Sequence, residues 1–154
     1  MPTRQLALVS LAAVLLATPA DARVTVTFQS PGHFTDADLR GPPVLPALKA
    51  HLERLGARYL ARNTDLKIAV LDVRLAGRYE PWRTPESVRF IRDSTWPTIT
   101  VRYSFTQAGK TIASREETIT DQFYPMRSRT VSSGPLAYEK AMLDDWFRER
   151  FSAR

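Results

Sequence analysis

Cysteine is absent from the chain, and histidine occurs only twice. The absence of thiols excludes disulfides, thiolate catalysis, iron–sulfur clusters and cysteine zinc sites. His33 lies in a Pro-Gly turn and His51 in a helical pattern, with neither His-x-x-x-His nor His-x-His spacing. We therefore expect no metal site and no cofactor, and we expect packing alone to stabilise the fold.

Recognisable catalytic motifs are also missing. The sequence has no Gly-x-Ser-x-Gly elbow, no glycine-rich phosphate loop and no Ser-x-x-Lys. Adjacent acids occur at Glu116-Glu117 and Asp144-Asp145, but neighbouring side chains on a strand or helix point in different directions, so neither pair is a proton-sharing dyad. We interpret both pairs as solvated edges and predict no catalytic residue. A hydrolase that uses two spatially close carboxylates stays open, because that chemistry requires no linear motif.

An uncharged, mainly apolar run lies near the start of the chain. Arg4 precedes it, the run covers the 12 residues 6–17, and Ala20-Asp21-Ala22 follows, which is the order of a cleavable secretory signal. The run is too short for a transmembrane helix, which needs about 20 residues. We therefore predict a signal peptide at residues 1–22, cleavage after Ala22, a periplasmic or secreted product and no transmembrane span after cleavage.

The remaining residues 23–154 are predicted to form one globular domain, because 132 residues are enough to bury a core. The signal contains one Arg and one Asp, so the mature chain keeps the net charge of +6. Positive charge favours anionic partners, and outside the cytoplasm these are lipid headgroups, lipopolysaccharide and cell-wall polymer rather than nucleic acid. The basic residues are scattered, and a basic surface that only aids solubility is the simpler interpretation.

Two hydrophobic periods occur along the mature chain. Alternating apolar and polar residues predict strands at 23–29, 66–75, 98–106 and 111–121. Apolar residues spaced by three and four predict amphipathic helices from 44 to about 62 and from 135 to about 151. We predict an α+β domain with a mostly antiparallel sheet of about four strands and both helices packed on one face. The first strand, first helix and second strand would form a right-handed parallel crossover.

Some details of the strands are also predicted. Residues 107–110 indicate a hairpin turn with Gly109 in the left-handed conformation. Ile112 and Ile119 have opposite parity, so a β-bulge is expected at residues 115–117. Residues 87–93 fit either a short helix or a strand. Strict alternation in the second strand places one set of side chains on a single face: Ala69, Leu71, Val73 and Leu75.

The long connection at residues 72–93 is the candidate binding surface. Its arginines can make bidentate contacts and its aromatic rings offer rigid contact area, which suits an envelope protein, a glycan or an anionic lipid. The alternative is a loop that is held by Trp82 packed on the sheet and by internal Arg–Asp pairs. A second cluster, Asp121, Tyr124, Arg127 and Arg129, would border the same end of the sheet. The predicted binding residues are Asp72, Arg74, Glu80, Trp82, Arg83, Arg92, Asp93 and Tyr124.

Short segments across the mature chain share a pattern with a known family. They are VTVTF at 24–28, LAG at 75–77 with EPW at 80–82, RD at 92–93 before WP at 96–97, EE at 116–117 with Asp121 and Tyr124, and YEK at 138–140 with Leu143 and DWF at 145–147. In these segments the chain resembles the exported bacterial proteins catalogued as domain of unknown function 3016. The resemblance implies a single exported domain in diderm bacteria and identifies no catalytic or binding residue.

The leading functional hypothesis is a noncatalytic, soluble periplasmic binding or protein-interaction domain. It depends on the absence of a catalytic constellation together with the Arg- and Trp-rich connection. One alternative is a carboxylate-dependent hydrolase that acts on envelope polysaccharide. The other is a basic structural envelope protein that contacts anionic lipid.

Overall fold

The computed structural model describes residues 21–36, 43–79, 82, 89–91, 94–127 and 134–152. Within these ranges the long elements are β1 (Arg23–Phe28), α1 (Val44–Tyr59), β2 (Thr64–Arg74), β5 (Thr98–Gln107), β6 (Lys110–Thr120) and α2 (Ala137–Phe151). Two short strands, β3 (Arg78–Tyr79) and β4 (Arg89–Phe90), lie between β2 and β5. Single 3-10 turns occupy Pro31–His33 and Tyr124–Arg127. Residues 1–20 lie outside the described ranges, so the signal peptide stays a prediction.

The long strands form one four-stranded sheet in the order β1-β2-β5-β6. β1 and β2 are parallel and are connected through α1, whereas β2 with β5 and β5 with β6 are antiparallel pairs. β3 and β4 form a separate antiparallel pair beyond the end of β2. The predicted α+β class, with a mostly antiparallel four-stranded sheet and two helices, is confirmed.

The core lies between the helices and one face of the sheet. Leu48, Leu52 and Leu55 of α1 are buried there, because their spacing places them on the same side of the helix. The sheet contributes Ile68 and Val101, and the remaining buried core residues include Leu66, Val70, Ile99, Tyr103, Met142, Leu143, Trp146, Phe147 and Phe151. Polar side chains occupy the opposite face of the sheet, including Thr25, Thr27, Lys67 and Arg102. No helix in the described ranges is both long and apolar enough to cross a membrane.

Both strand details that depend on a bulge differ from the prediction. In β2 the register passes from Val70↔Val101 to Asp72↔Thr100, so Leu71 is an extra residue. This bulge returns Val73 to the buried side on which Val70 lies, and the strict alternation predicted for this strand is therefore wrong.

The bulge in β6 lies next to the hairpin turn and not at residues 115–117. Phe105 pairs with Ala113 and Thr106 with Thr111, so Ile112 is the residue without a partner position. Ile112 and Ile119 have opposite parity because Ile112 is itself the bulged residue, and its side chain is exposed. The predicted hairpin turn is confirmed, since Ala108 and Gly109 both have positive φ values, 48° and 78°.

Some element boundaries also differ. α1 ends at Tyr59 and not near residue 62, because Leu60 is already extended, with φ −83° and ψ 138°. α2 begins at Ala137, after Leu136 in the left-handed conformation. Of the ambiguous residues 87–93, Arg89–Phe90 form strand β4, and the segments 87–88 and 92–93 lie outside the described residues.

Candidate functional site

The loops that carry the predicted binding residues leave the sheet at one end. Arg74 pairs with Thr98, and Thr98 pairs with Thr120, so β2 ends where β5 begins and β6 ends. The Asp121 amide donates to the Pro97 carbonyl at 3.3 Å, which extends this alignment by one residue. β1 ends on the same side, because it runs parallel to β2. We call this region the loop end: residues 29–36, 75–79, 82, 89–91, 94–97 and 121–127.

Two carboxylates near the loop end accept hydrogen bonds that connect the segment after β1 with the end of β2. Asp72 accepts hydrogen bonds from the Thr35 amide at 2.6 Å and from the Thr35 hydroxyl at 2.7 Å. One residue further along, Asp36 accepts from the Leu75 amide at 2.5 Å. These bonds tie the segment after β1 to the end of β2. The predicted binding residue Asp72 is therefore engaged within the fold.

Glu139 is the most deeply buried acid at this end, with 3% of its surface exposed. It lies in the first turn of α2 and accepts a hydrogen bond from the Ala76 amide at 2.6 Å. Burial raises the pKa of Glu139 above its usual value, although the Ala76 hydrogen bond partly opposes the shift. The carboxylate thus joins the second helix to the chain that leaves β2.

Arg89 also binds this stretch of chain. Its guanidinium donates to the carbonyls of Ala76 and Gly77, each at 2.9 Å, and to the Leu75 carbonyl at 3.3 Å. Gly77 has φ +72°, and a Cβ at this position would fall 2.5 Å from the Phe90 carbonyl oxygen. The close approach of β3 to β4 therefore requires glycine here.

Large apolar side chains are exposed at the loop end. Trp82 is 72% exposed, Phe123 70%, Met126 81% and Ile91 45%. Tyr124, between Phe123 and Met126, is fully buried, and its ring packs edge-on against Tyr138 with centroids 4.9 Å apart. Asp121 accepts from the Phe123 amide at 3.0 Å, which fixes the start of this turn. The packing of Tyr124 and the Asp121 hydrogen bond therefore hold a turn whose other apolar side chains, Phe123 and Met126, are exposed to solvent.

The structure places the predicted binding residues in three situations. Arg74, the last residue of β2, and Trp82, at the loop end, are exposed. The exposure of Trp82 excludes the alternative in which it packs on the sheet. Asp72 is half-buried and Tyr124 is buried. Glu80, Arg83, Arg92 and Asp93 lie outside the described residues. The binding role of this set stays a prediction.

Sequence reasoning missed several residues that form the loop end or bind it. Glu139 falls within the predicted apolar stripe of α2, between Leu136 and Leu143, and an acid at a core position was the available signal. Phe123 and Met126 stand out as apolar residues in a polar loop. No local pattern marked Asp36 or Arg89, because their partners are distant in the chain.

The adjacent acids of β6 have different roles. Glu116 is exposed and pairs with Arg102 at 2.8 Å, as expected for a solvated edge. Glu117 faces the helices and accepts from Trp146 Nε1 at 2.9 Å, Tyr103 Oη at 3.1 Å and Arg150 Nε at 3.1 Å. Burial alone would raise the pKa of Glu117, but these three donors together lower it. The prediction of a solvated Glu117 is therefore wrong.

Metal ligands do not gather in the part of the chain that the structure describes. There, no group of three or more His, Asp or Glu side chains is arranged to hold a metal ion. Asp144 lies 3.3 Å from His51 Nε2, and Asp145 pairs with Arg148 on the same helix, so both acids contact basic groups.

Comparison with known protein families gives a match, which covers nearly the whole predicted domain. A family model described as a protein of unknown function (DUF3016) matches residues 22–149. The chain belongs to the DUF3016 family. The match begins next to β1 and ends within α2, so the DUF3016 domain corresponds to the fold described above and the predicted resemblance is confirmed. Searches of the curated proteins and of the solved structures find no significant match to this DUF3016 protein.

Proposed function

We propose that this DUF3016 protein is an exported, noncatalytic interaction domain of the bacterial cell envelope, and that it binds a protein partner through the loop end. The observation that carries the proposal is the exposure of Trp82, Phe123 and Met126 on loops that leave the same end of the sheet. Aromatic residues, Met and Arg are enriched at protein interfaces, and exposed apolar patches mark interaction sites.

The contacts that hold the loop end in place support the proposal that it is a binding surface. Buried Tyr124 and the Asp121 hydrogen bond hold the turn that carries Phe123 and Met126. A surface that is already ordered loses less conformational entropy when a partner binds. Arg74, the last residue of β2, and Arg78, in β3, are also exposed and offer bidentate hydrogen-bond donors.

The same construction argues against a hydrolase that uses the carboxylates around the loop end. Hydrolysis of a glycosidic bond requires one carboxyl group that faces the leaving oxygen and a second that faces water or the sugar. Asp72, Asp36 and Glu139 each accept short hydrogen bonds from distant parts of the chain instead. Their role in holding the loops accounts for their positions without catalysis.

Site-specific photocrosslinking in the periplasm tests the proposal. A photoreactive amino acid replaces Trp82 or Phe123 in the protein expressed with its own signal, and Ile112 is the matched control. Ile112 is also an exposed apolar residue, at 55%, but it lies at the hairpin end of the sheet. We expect a discrete crosslinked protein from Trp82 and Phe123 and none from Ile112, with a mature mass that begins at Arg23.

Three outcomes would contradict the proposal. Equal crosslinking from Ile112 would show that the loop end has no special role. Crosslinks to phospholipid alone, together with flotation on phosphatidylglycerol vesicles that Trp82→Ala abolishes, would assign the surface to lipid. An uncleaved mass would refute export.

A further inference from the structure

The outer edge of β6 is available for another strand. In the sheet order, β6 pairs with β5 on one side only, and within the described residues no strand pairs with its other side. β6 is a long edge strand, from Lys110 to Thr120. Such an edge presents unpaired backbone donors and acceptors.

The hydrogen-bond pattern between β5 and β6 identifies which residues of β6 direct their backbone N–H and C=O groups toward the open edge. The Asp121 amide donates to Pro97 in β-ladder register, so Asp121 points its backbone groups toward the β5 side. Because backbone direction alternates along an antiparallel strand, Glu117 and Ile119 also face β5, while Glu116, Thr118 and Thr120 face outward.

Side-chain geometry agrees with this assignment. The hydroxyls of Thr120 and Thr98 lie 3.3 Å apart, and those of Thr118 and Thr100 are also 3.3 Å apart. Close side chains are typical of the pairs that do not exchange backbone hydrogen bonds with each other. Thr118 and Thr120 are exposed, so their outward amides and carbonyls lie at an open surface.

A groove of about 300 Å³ runs along this edge, between β6 and α2. Ile119, Met142 and Trp146 give it an apolar part. Its charged lining comprises four acids and one arginine: Glu117, Asp121, Asp145, Glu149 and Arg150. Arg150 pairs with Glu117 inside the groove and Arg148 pairs with Asp145 from outside the lining. The lining itself has four acids against one arginine, so it is acidic although the whole chain has a net charge of +6.

We propose that the β6 edge binds an extended peptide segment with alternate lysine or arginine residues, which becomes a fifth strand of the sheet. The peptide backbone pairs with Glu116, Thr118 and Thr120. Its basic side chains lie on the helix side, where their aliphatic stems cover Trp146 and their charged ends reach Asp145 and Glu149.

Charge favours such a peptide over a second copy of the chain. If two β6 edges paired with each other, each strand would bring its own Glu117 to the acidic helix side. Like charges at close range disfavour that pairing. Asp121 is the one residue shared by the groove and the loop end, and none of the substitutions that test the two surfaces involves it, so either surface can be disproved without the other.

The main test compares two substitutions of Thr118. Thr118→Pro removes an outward amide but no amide of the β5 ladder, and proline is tolerated on the open side of an edge strand. Thr118→Val keeps the amide and loses the same hydroxyl. The probe is a capped, fluorescently labelled peptide in which lysine alternates with threonine, and its binding is measured by anisotropy. We expect Thr118→Pro to weaken binding at least about tenfold and Thr118→Val to change it less than about twofold, with similar melting temperatures for both variants.

A second set of probes keeps the wild-type protein and therefore does not depend on the folding of a variant. One peptide is N-methylated at every lysine and the other at every threonine. Only alternate amides of an added strand face β6, so we expect one of the two peptides to lose binding and the other to retain it. Equal effects of the two methylation patterns would overturn strand addition.

The charge of the groove is tested with Asp145→Asn combined with Glu149→Gln. We expect this double variant to reduce the preference for the lysine peptide over a peptide in which glutamate replaces lysine. Retention of the full preference would overturn the assignment of the basic side chains to the groove. A concentration-dependent dimer in sedimentation that Thr118→Pro abolishes would assign the edge to a second copy and also overturn the proposal.

Discussion

Gly56 on α1 lies so close to Val24 on β1 that a Cβ built on the glycine would fall 2.0 Å from Val24 Cγ2. The crossover helix can therefore rest on the first strand only where one helical position has no side chain. Val24 is β-branched and has few alternative rotamers, so the contact has little capacity to adjust.

The first prediction concerns this contact. Alanine in place of glycine inside a helix normally stabilises by about 0.5–1 kcal/mol, but we expect Gly56→Ala to destabilise the domain because the methyl group meets Val24. The free energy of unfolding, measured by chemical denaturation, should fall by about 1–3 kcal/mol. Val24→Ala should relieve part of this loss in the double variant. Additive losses from the two substitutions would contradict the steric explanation.

The buried carboxyl group of Glu139 predicts a pH dependence. Burial raises the pKa of Glu139 above 4.5, so the folded state retains a proton that the unfolded state releases. The contribution of this group to stability is therefore greatest below pH 4.5 and is lost as the pH rises through the folded-state pKa. Glu139→Gln keeps an acceptor for the Ala76 amide and cannot ionise. We expect its unfolding free energy, relative to wild type, to increase from about pH 4 to pH 7, by about 1.4 kcal/mol for each unit of the pKa shift.

Glu149→Gln is the control for Glu139→Gln, because Glu149 lies on the same helix but is exposed. It measures the effect of removing one negative charge without removing a buried carboxylate. If both variants have the same pH dependence relative to wild type, the assignment to burial of Glu139 is wrong.

The buried His51 predicts a pH dependence of stability opposite in sign to that of Glu139. Its imidazole is buried between the helices, with Nε2 3.2 Å from the Lys140 carbonyl oxygen. Burial lowers the pKa of His51 below 6.5, although Asp144 opposes the shift. The neutral ring is favoured in the folded state, so this contribution to stability is complete above pH 6.5 and decreases as the pH falls below it.

NMR titration of the His51 ring, together with denaturation curves at about pH 5 and pH 7, checks this prediction. We expect His51→Gln to lose part of the stability increase between these pH values. The exposed His33→Gln is the matched control and should retain it. A His51 pKa above 6.5 would contradict the dominance of burial.

The hydrogen bond from Tyr103 to Glu117 predicts that removal of the Tyr103 hydroxyl destabilises the domain. Tyr103→Phe keeps the edge-on packing against Trp146 and Phe151, with ring centroids 5.8 Å and 5.3 Å apart, and removes the donor to Glu117. We expect a loss of about 1.5–3 kcal/mol, which is typical for a hydrogen bond to a charged group. The loss should shrink when Glu117→Gln is already present, because the charged acceptor is gone. An equal loss in both backgrounds, measured by denaturation, would show that the charge of Glu117 does not strengthen this hydrogen bond.

Local patterns predicted much of the fold. Period-two alternation identified the strands, and the spacing of Leu48, Leu52 and Leu55 identified the buried side of α1, because both signals are carried by residues near one another in the sequence. The turn at Ala108-Gly109 was predictable for the same reason. The Leu71 bulge was not, since an inserted residue shows only in the pairing with another strand.

The candidate site was predictable only in part. Trp82 was identified because tryptophan in a polar, arginine-rich connection is conspicuous. The relation of that connection to Phe123 and Met126 depends on the register of β2, β5 and β6, which places distant residues at one end of the sheet. The attachment of the loops by Asp36, Arg89 and Glu139 also joins residues far apart in sequence.

The sequence by itself determined the α+β class, the strand and helix positions, the membership of the family and the absence of thiol chemistry. Each of these follows from composition, short-range periodicity or recognisable segments. Only the tertiary structure decided that Glu117 faces the helices while Glu116 faces solvent, and that Glu139 is buried. It also decided that no strand among the described residues covers the outer edge of β6, beside an acidic groove. Long-range packing determines the surroundings of a side chain, and the surroundings determine whether a carboxylate is solvated, fastens a loop or lines a groove.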